Sequence, residues 1–308
     1  MDRNRSVESA DRQKDLSQDE MKPTAPYQVE TRNISAVSEE YKKIPEGLSQ
    51  EELSAAVEQP NKEIDIAALL ASIDNAKAEL GKRRPLNPTE LRVIQEEFTV
   101  RYTYNSNAIE GNTLTLDETA LVLLEGVSIG GKPIRHVLDV LGHRDAFNYL
   151  LNGLENGAAL TEEFVREMHS HVLMNDPIER GNYRTRRVRI SNSTARLPDP
   201  GEVPSLMASL LEDIANSRLH PVEKAAVYHL DFEMIHPFID GNGRTGRLVM
   251  NMLLMQHGYL PIDIKFTNVE KYYRAFKSFQ TTNSHDEMVA LVAEYELCEL
   301  RERLYILN

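Results

Sequence analysis

The side chains that could do chemistry crowd into one run, His236-Pro237-Phe238-Ile239-Asp240-Gly241-Asn242-Gly243-Arg244-Thr245-Gly246-Arg247. It holds an imidazole, a carboxylate, closely spaced glycines and two arginines. The apolar stretch Leu248-Val249-Met250-Asn251-Met252-Leu253-Leu254-Met255 follows at once and reads as a buried helix. A glycine-rich loop that opens into a helix is an anion site, because unpaired backbone N–H groups and the positive helix end point at the same place. Arg244 and Arg247 share a face of the first helical turns, with Asn251 four residues further along it. Such a site asks for a polyphosphate. His236 precedes Pro237, so its backbone is biased out of the helix at the phosphate end. An imidazole there can take a proton from a hydroxyl. Asp240 would repel phosphates unless a Mg²⁺ bridged them.

Other chemistries fit less well. Gly241-x-Gly243-x-x-Gly246 matches the dinucleotide fingerprint in letter, but that motif needs a strand before the loop and an alternating βαβ chain. The residues before this loop look helical. No Gly-Lys-Ser/Thr follows, which excludes a Walker A loop. His169 and His171 are two apart and cannot share a helix face, so a metal pair is not expected there. Cys298 has no evident base beside it.

The elements that must position the run are helices. Residues 1–60 are polar and mixed in charge, with Pro23, Pro26, Pro45 and Pro60 scattered through them. A mostly flexible tail is expected, with a short helix near 49–57. Over 61–85, Ile64, Ile66, Leu69, Leu70 and Ile73 follow helical spacing before a Gly-Lys-Arg-Arg-Pro linker. Residues 86–308 read as one domain. Its first helix, 88–110, starts at Asn87-Pro88 and stops at Gly111. Thr115-Leu116-Asp117-Glu118 is a capping box for a short helix. A long helix follows Pro133, and others are expected over 161–174, 204–217, 221–235, 242–256, 269–279 and 285–304. Around 184–198, Val188 and Ile190 alternate with polar residues and Ser191-Asn192-Ser193 marks a turn, which reads as a β-hairpin. The fold class is all-α with one small β-hairpin.

Composition narrows the partners. The net charge of -13 argues against nucleic acid and anionic membrane surfaces. One cysteine in 308 residues gives no internal disulfide and suits a reducing compartment. No apolar run is long enough to cross a bilayer, and Met1-Asp2-Arg3-Asn4-Arg5 leads into no apolar signal core. A cytoplasmic protein is expected.

The run 236–247 resembles the Fic-domain signature, His-Pro-Phe-x-(Asp/Glu)-Gly-Asn-Gly-Arg-x-x-Arg, at every specified position. The resemblance extends over roughly 86–304, including the hairpin and Lys271-Tyr272-Tyr273. It implies a Fic-type helical bundle and a protein adenylyltransferase that transfers AMP from ATP to a target Ser, Thr or Tyr hydroxyl, releasing pyrophosphate. His236 would be the base and Asp240 the Mg²⁺ ligand. Gly241, Asn242 and Gly243 would hold the α-phosphate, Arg244 the β-phosphate and Arg247 the γ-phosphate. Asn251 would lie near the nucleotide, and Tyr272 or Tyr273 would line the adenine pocket, with Gln280 and Asn283 both near a family adenine contact. Gly243, where the family's kinase branch has lysine, points to nucleotidyl transfer. The hairpin corresponds to the target-docking flap, with Val188, Arg189, Ile190 and Leu197 as docking residues. Homodimerisation is a family expectation.

A second stretch, Ser106-Asn107-Ala108-Ile109-Glu110-Gly111-Asn112, resembles the family's inhibitory pattern Ser/Thr-x-x-x-Glu-Gly/Asn. A carboxylate at a helix C-terminus opposes the macrodipole and needs a cation. The resemblance makes Arg247 that cation, held away from the γ-phosphate, in the branch with an N-terminal inhibitory helix. Removal of AMP by a water that Glu110 orients, and ATP sensing without turnover, are the alternatives.

Overall fold

The computed structural model describes residues 65–190 and 196–307, all within one compact unit, Gln50–Asn308. The tail expected over 1–60, and the short helix near 49–57, lie outside the described residues. Among the described residues there are ten α-helices and no strand. They are α1 (Ile66–Leu80), α2 (Pro88–Ile109), α3 (Leu116–Glu125), α4 (Ile134–Glu155), α5 (Glu162–Val172), α6 (Val203–Asn216), α7 (Pro221–Ile235), α8 (Asn242–Gln256), α9 (Val269–Thr282) and α10 (Asp286–Ile306).

The helix starts follow the capping chemistry of the sequence. Asn87 Oδ1 accepts from the Thr89 and Glu90 N–H groups, while Glu90 accepts the Asn87 N–H in return. Thr115 and Glu118 cap α3 in the same reciprocal way. Thr161 Oγ1 accepts from Phe164 N–H to open α5. Asp65, rather than the apolar Ile64, starts the first helix: its carboxylate accepts from Ala68 N–H, so α1 begins at Ile66.

α8 is the central element. Of its residues, Asn242 and every position from Arg244 to Leu254 are buried, so it is enclosed on all sides rather than amphipathic. α7 packs along it, and α4, α5 and α2 pack against other faces. α10 lies against α7 and α1. The core gathers Phe98, Tyr102, Phe147, Leu150, Met168, Met207, Tyr228, Phe232 and the apolar residues of α8. The opening of α8 is thus fixed at the meeting point of α2, α4, α5 and α7.

The hairpin expected over 184–198 shows no strand pairing in its described residues, and residues 191–195, which include the expected turn, lie outside them. Its two ends are nevertheless joined, because Arg184 Nη2 donates to Pro198 O at 2.8 Å. Among the described residues, no helix is long and apolar enough to cross a membrane.

Candidate active site

α7 ends at Ile235 and the chain turns sharply. His236 sits in the left-handed region at φ 51°, donating its N–H to Phe232 O at 2.8 Å. Among the described residues Asn283 is the other non-glycine at positive φ. The proline effect at His236 therefore takes the residue out of the helix, as expected, but into αL rather than the extended region. The loop closes at Gly241, also left-handed at φ 80°, which caps α8. A side chain there would fit tightly against Val172 and His169, and the left-handed φ is what favours glycine.

Two residues outside the motif brace this loop. Arg184, 1% exposed, donates from Nε to His236 O at 2.8 Å and from Nη2 to Ile235 O at 3.3 Å, while its N–H donates to Pro237 O at 2.9 Å. His169, 0% exposed, accepts from Gly181 N–H on Nδ1 at 2.9 Å, which leaves Nε2 to donate to Asp240 O at 2.9 Å. Its ring stacks on Phe238 with centroids 3.6 Å apart. Burial pulls the His169 imidazole down to about 4, against the opposing pull of the Asp240 carbonyl. His169 is thus a neutral strut. His171, two residues on, is paired elsewhere, with its Nε2 3.8 Å from Glu167.

The motif residues divide by what they face. Asn242 spends both ends of its amide on the loop itself, Oδ1 accepting from Phe238 N–H and Nδ2 donating to Phe238 O, each at 2.9 Å. Asn251 is fully buried and bonded at both ends to the Ile262 backbone, at 2.8 and 2.9 Å. It is a strut between α8 and the chain before α9. The Asp240 carboxylate is half exposed; Oδ1 accepts from Gly241 N–H at 2.6 Å, and the guanidinium groups of Arg244 and Arg135 stand 3.5 and 3.6 Å away. Arg244, 2% exposed, is held by Asp139 at 3.0 Å and by Asn107 at 3.4 Å.

Arg247, 1% exposed, is bonded on every nitrogen. Nε donates to Ser106 Oγ at 3.0 Å, Nη2 to Ser106 O at 2.8 Å and to Glu110 Oε1 at 2.9 Å, and Nη1 to Tyr272 Oη at 3.1 Å. The Tyr272 hydroxyl then donates to His229 Nε2 at 2.7 Å. Burial opposes the charge on Arg247, but Tyr272 and Glu110 outweigh it and raise its basicity. Among the described residues Glu110 is the one ionic partner of Arg247. Glu110 caps the end of α2 and remains 38% exposed at its side chain. Its carboxylate lies so close to Gly243 that any side chain there would overlap it. Tyr273, half exposed, donates from its hydroxyl to Ile109 O at 3.1 Å and so ties α9 to the end of α2.

The structure therefore brings His236, Asp240, Gly241, Gly243, Arg244, Arg247, Ser106 and Glu110 together at one helix N-terminus. Val188, Ile190 and Leu197 are partly buried and Arg189 is exposed on the segment beside it. Asp139, Arg184, His169 and Glu233 are the neighbours that sequence reasoning did not assign a place here. Three of them had a readable signal: Glu233 stands one helical turn before His236, Arg184 belongs to a basic cluster in an acidic chain, and Asp139 shares its helix with Arg135 four residues earlier.

Residues 159–254 match the model of the Fic/DOC family. The chain is 39% identical over 213 residues to a protein of Drosophila willistoni named protein adenylyltransferase Fic. That match covers 68% of this chain and 42% of the relative, so the chain spans about two fifths of the relative's length. The structure is similar to Fic-1 of C. elegans, with a TM-score of 0.69, 26% identity, and 89% of this chain and 77% of that one covered. It is also similar to a Fic-domain signaling protein of Bacteroides thetaiotaomicron, with a TM-score of 0.67, 26% identity, and coverages of 77% and 95%. The helical fold is shared with these Fic-domain structures. This chain carries a domain of the Fic family.

Proposed function

We propose that the protein is an adenylyltransferase that moves AMP from ATP to a hydroxyl side chain of a target protein and is held inactive by Glu110. The observation that carries this reading is the Glu110–Arg247 pair at 2.9 Å, made at the mouth of the complete motif loop. Family membership and the name of the Drosophila relative support the reaction class.

In this reading His236 takes the proton of the target hydroxyl as its oxygen attacks the α-phosphorus, and pyrophosphate leaves with the electron pair of the broken P–O bond. The N–H groups at the start of α8 hold the α-phosphate. Arg244, already oriented by Asp139, meets the β-phosphate. Arg247 meets the γ-phosphate once Glu110 has withdrawn. A half-exposed Asp240 with only long contacts to arginine suits Mg²⁺, which takes one or two carboxylates plus phosphate oxygens. When bound, that ion would supply charge neutralisation to the phosphates. Tyr273 lines the adenine side, and the segment around 188–197 docks the target.

Incubation with ATP labelled at the α-phosphate tests the reaction. Protein should be labelled by the Glu110→Gly form and by no form carrying His236→Ala. Equal labelling with and without the imidazole would refute the mechanism.

A further inference from the structure

The proposed base has a neighbour that the motif does not contain. Glu233 lies one turn before His236 on α7, and its Oε2 is 3.4 Å from His236 Nδ1. Both groups are largely withdrawn from water, with side-chain exposures of 10% and 16%. Glu233 Oε1 is buried without a hydrogen-bond partner, and so is His236 Nδ1. Among the described residues, His236 is the one basic group in ion-pair reach of this carboxylate. A buried carboxylate oxygen without a partner is costly and calls for a reason. The unmatched nitrogen facing it supplies one, because bonds of this kind are often long before substrate binds and tighten afterwards.

We propose that Glu233 is a positioning residue that orients His236 for proton transfer. An Nδ1–H directed at Glu233 fixes the imidazole in the tautomer whose Nε2 is free to accept the target proton. The same carboxylate stabilises the imidazolium formed when that proton arrives, which is the logic of a base held by a third group. Nδ1 keeps its hydrogen throughout, the hydroxyl proton moves to Nε2, and Glu233 remains ionised. The left-handed backbone at His236 serves this arrangement, since it folds the ring back toward the last turn of α7. Arg184 holds that backbone from the other side.

This inference deepens the adenylyltransferase reading and rests on it for its kinetic part alone. Two readouts therefore test it. Nitrogen-15 NMR of the full chain, without nucleotide, reports the His236 tautomer. The Nδ1–H form should predominate in the wild type and give way to the Nε2–H form in Glu233→Leu. An unchanged tautomer would overturn the assignment. In the Glu110→Gly background, label transfer from α-labelled ATP to a fixed lysate gives apparent kcat and KM for ATP. Glu233→Gln should lower kcat at least fivefold, keep KM within twofold and leave Tm unchanged or higher. A smaller fall in kcat, or an equal change in KM and Tm, would assign Glu233 a merely structural role. If the Glu110→Gly chain with Glu233 intact transfers no label, the adenylyltransferase reading fails, while the NMR result still decides the pairing.

Discussion

Arg184→Ala tests whether residues outside the motif build the site. The Arg184 guanidinium makes two short bonds to carbonyls, at 2.8 Å to His236 O and 2.8 Å to Pro198 O. Its contacts to Ile235 O and Arg186 O, at 3.3 and 3.4 Å, are weak and are discounted. A hydrogen bond from a charged donor contributes roughly 1.5–3 kcal/mol, and the acceptor left behind in a buried place carries its own penalty. Set against this, releasing a buried charge returns part of its desolvation cost. The net expected loss is about 3 kcal/mol. In a domain of this size each kcal/mol lowers Tm by about 2–4 °C, so the shift should be about 6–12 °C. Thermal unfolding followed by circular dichroism measures it. Arg187→Ala, which breaks an exposed ion pair with Asp199, is the control and should move Tm little. A shift for Arg184→Ala no larger than the control's would show that the two ends of this segment are not held by the buried guanidinium.

Three further outcomes are expected. His169 and His229 are buried neutral, pulled down to about 4 and about 3 by burial. Each binds its proton more readily when unfolded, so stability present above about pH 6.5 is lost as the pH falls, by about 2 kcal/mol per histidine at pH 5; urea unfolding at pH 7 and 5 checks this. Asn251→Leu leaves the Ile262 N–H and carbonyl buried without partners, so stability should fall by roughly 2–5 kcal/mol while ATP affinity in the folded protein is retained; a loss of affinity without a loss of stability would instead give Asn251 a role at the nucleotide. Gly243→Ala should displace the Glu110 carboxylate, seen as increased exchange of the amides at the end of α2.

Much of this arrangement was legible before any coordinates. The loop-to-helix anion site follows from glycines next to an apolar run, and the helix starts follow from Asn87, Thr115 and Thr161, because capping is local chemistry. The Glu110–Arg247 contact was readable only through resemblance, since 137 residues separate the two. The hydrogen bonds of Asn242 and Asn251 were less legible. Side-chain amides in a motif suggest ligands, yet here the backbone has first claim on them, at Phe238 and Ile262. His169 was misleading in the opposite sense: the absence of a metal-binding pattern hid its place under the loop. Arg184 was visible as one of several basic residues, but only packing distinguishes the one that is buried.

The most direct test of the central claim compares initial rates of label transfer from α-labelled ATP by the wild type and Glu110→Gly at equal protein concentration. In the variant Arg247 keeps Ser106 and Tyr272 and loses its one ionic partner, so it stays in position and becomes available to the γ-phosphate. The variant should transfer label at least tenfold faster. Equal or slower transfer would mean that the Glu110–Arg247 pair is not what holds this protein inactive.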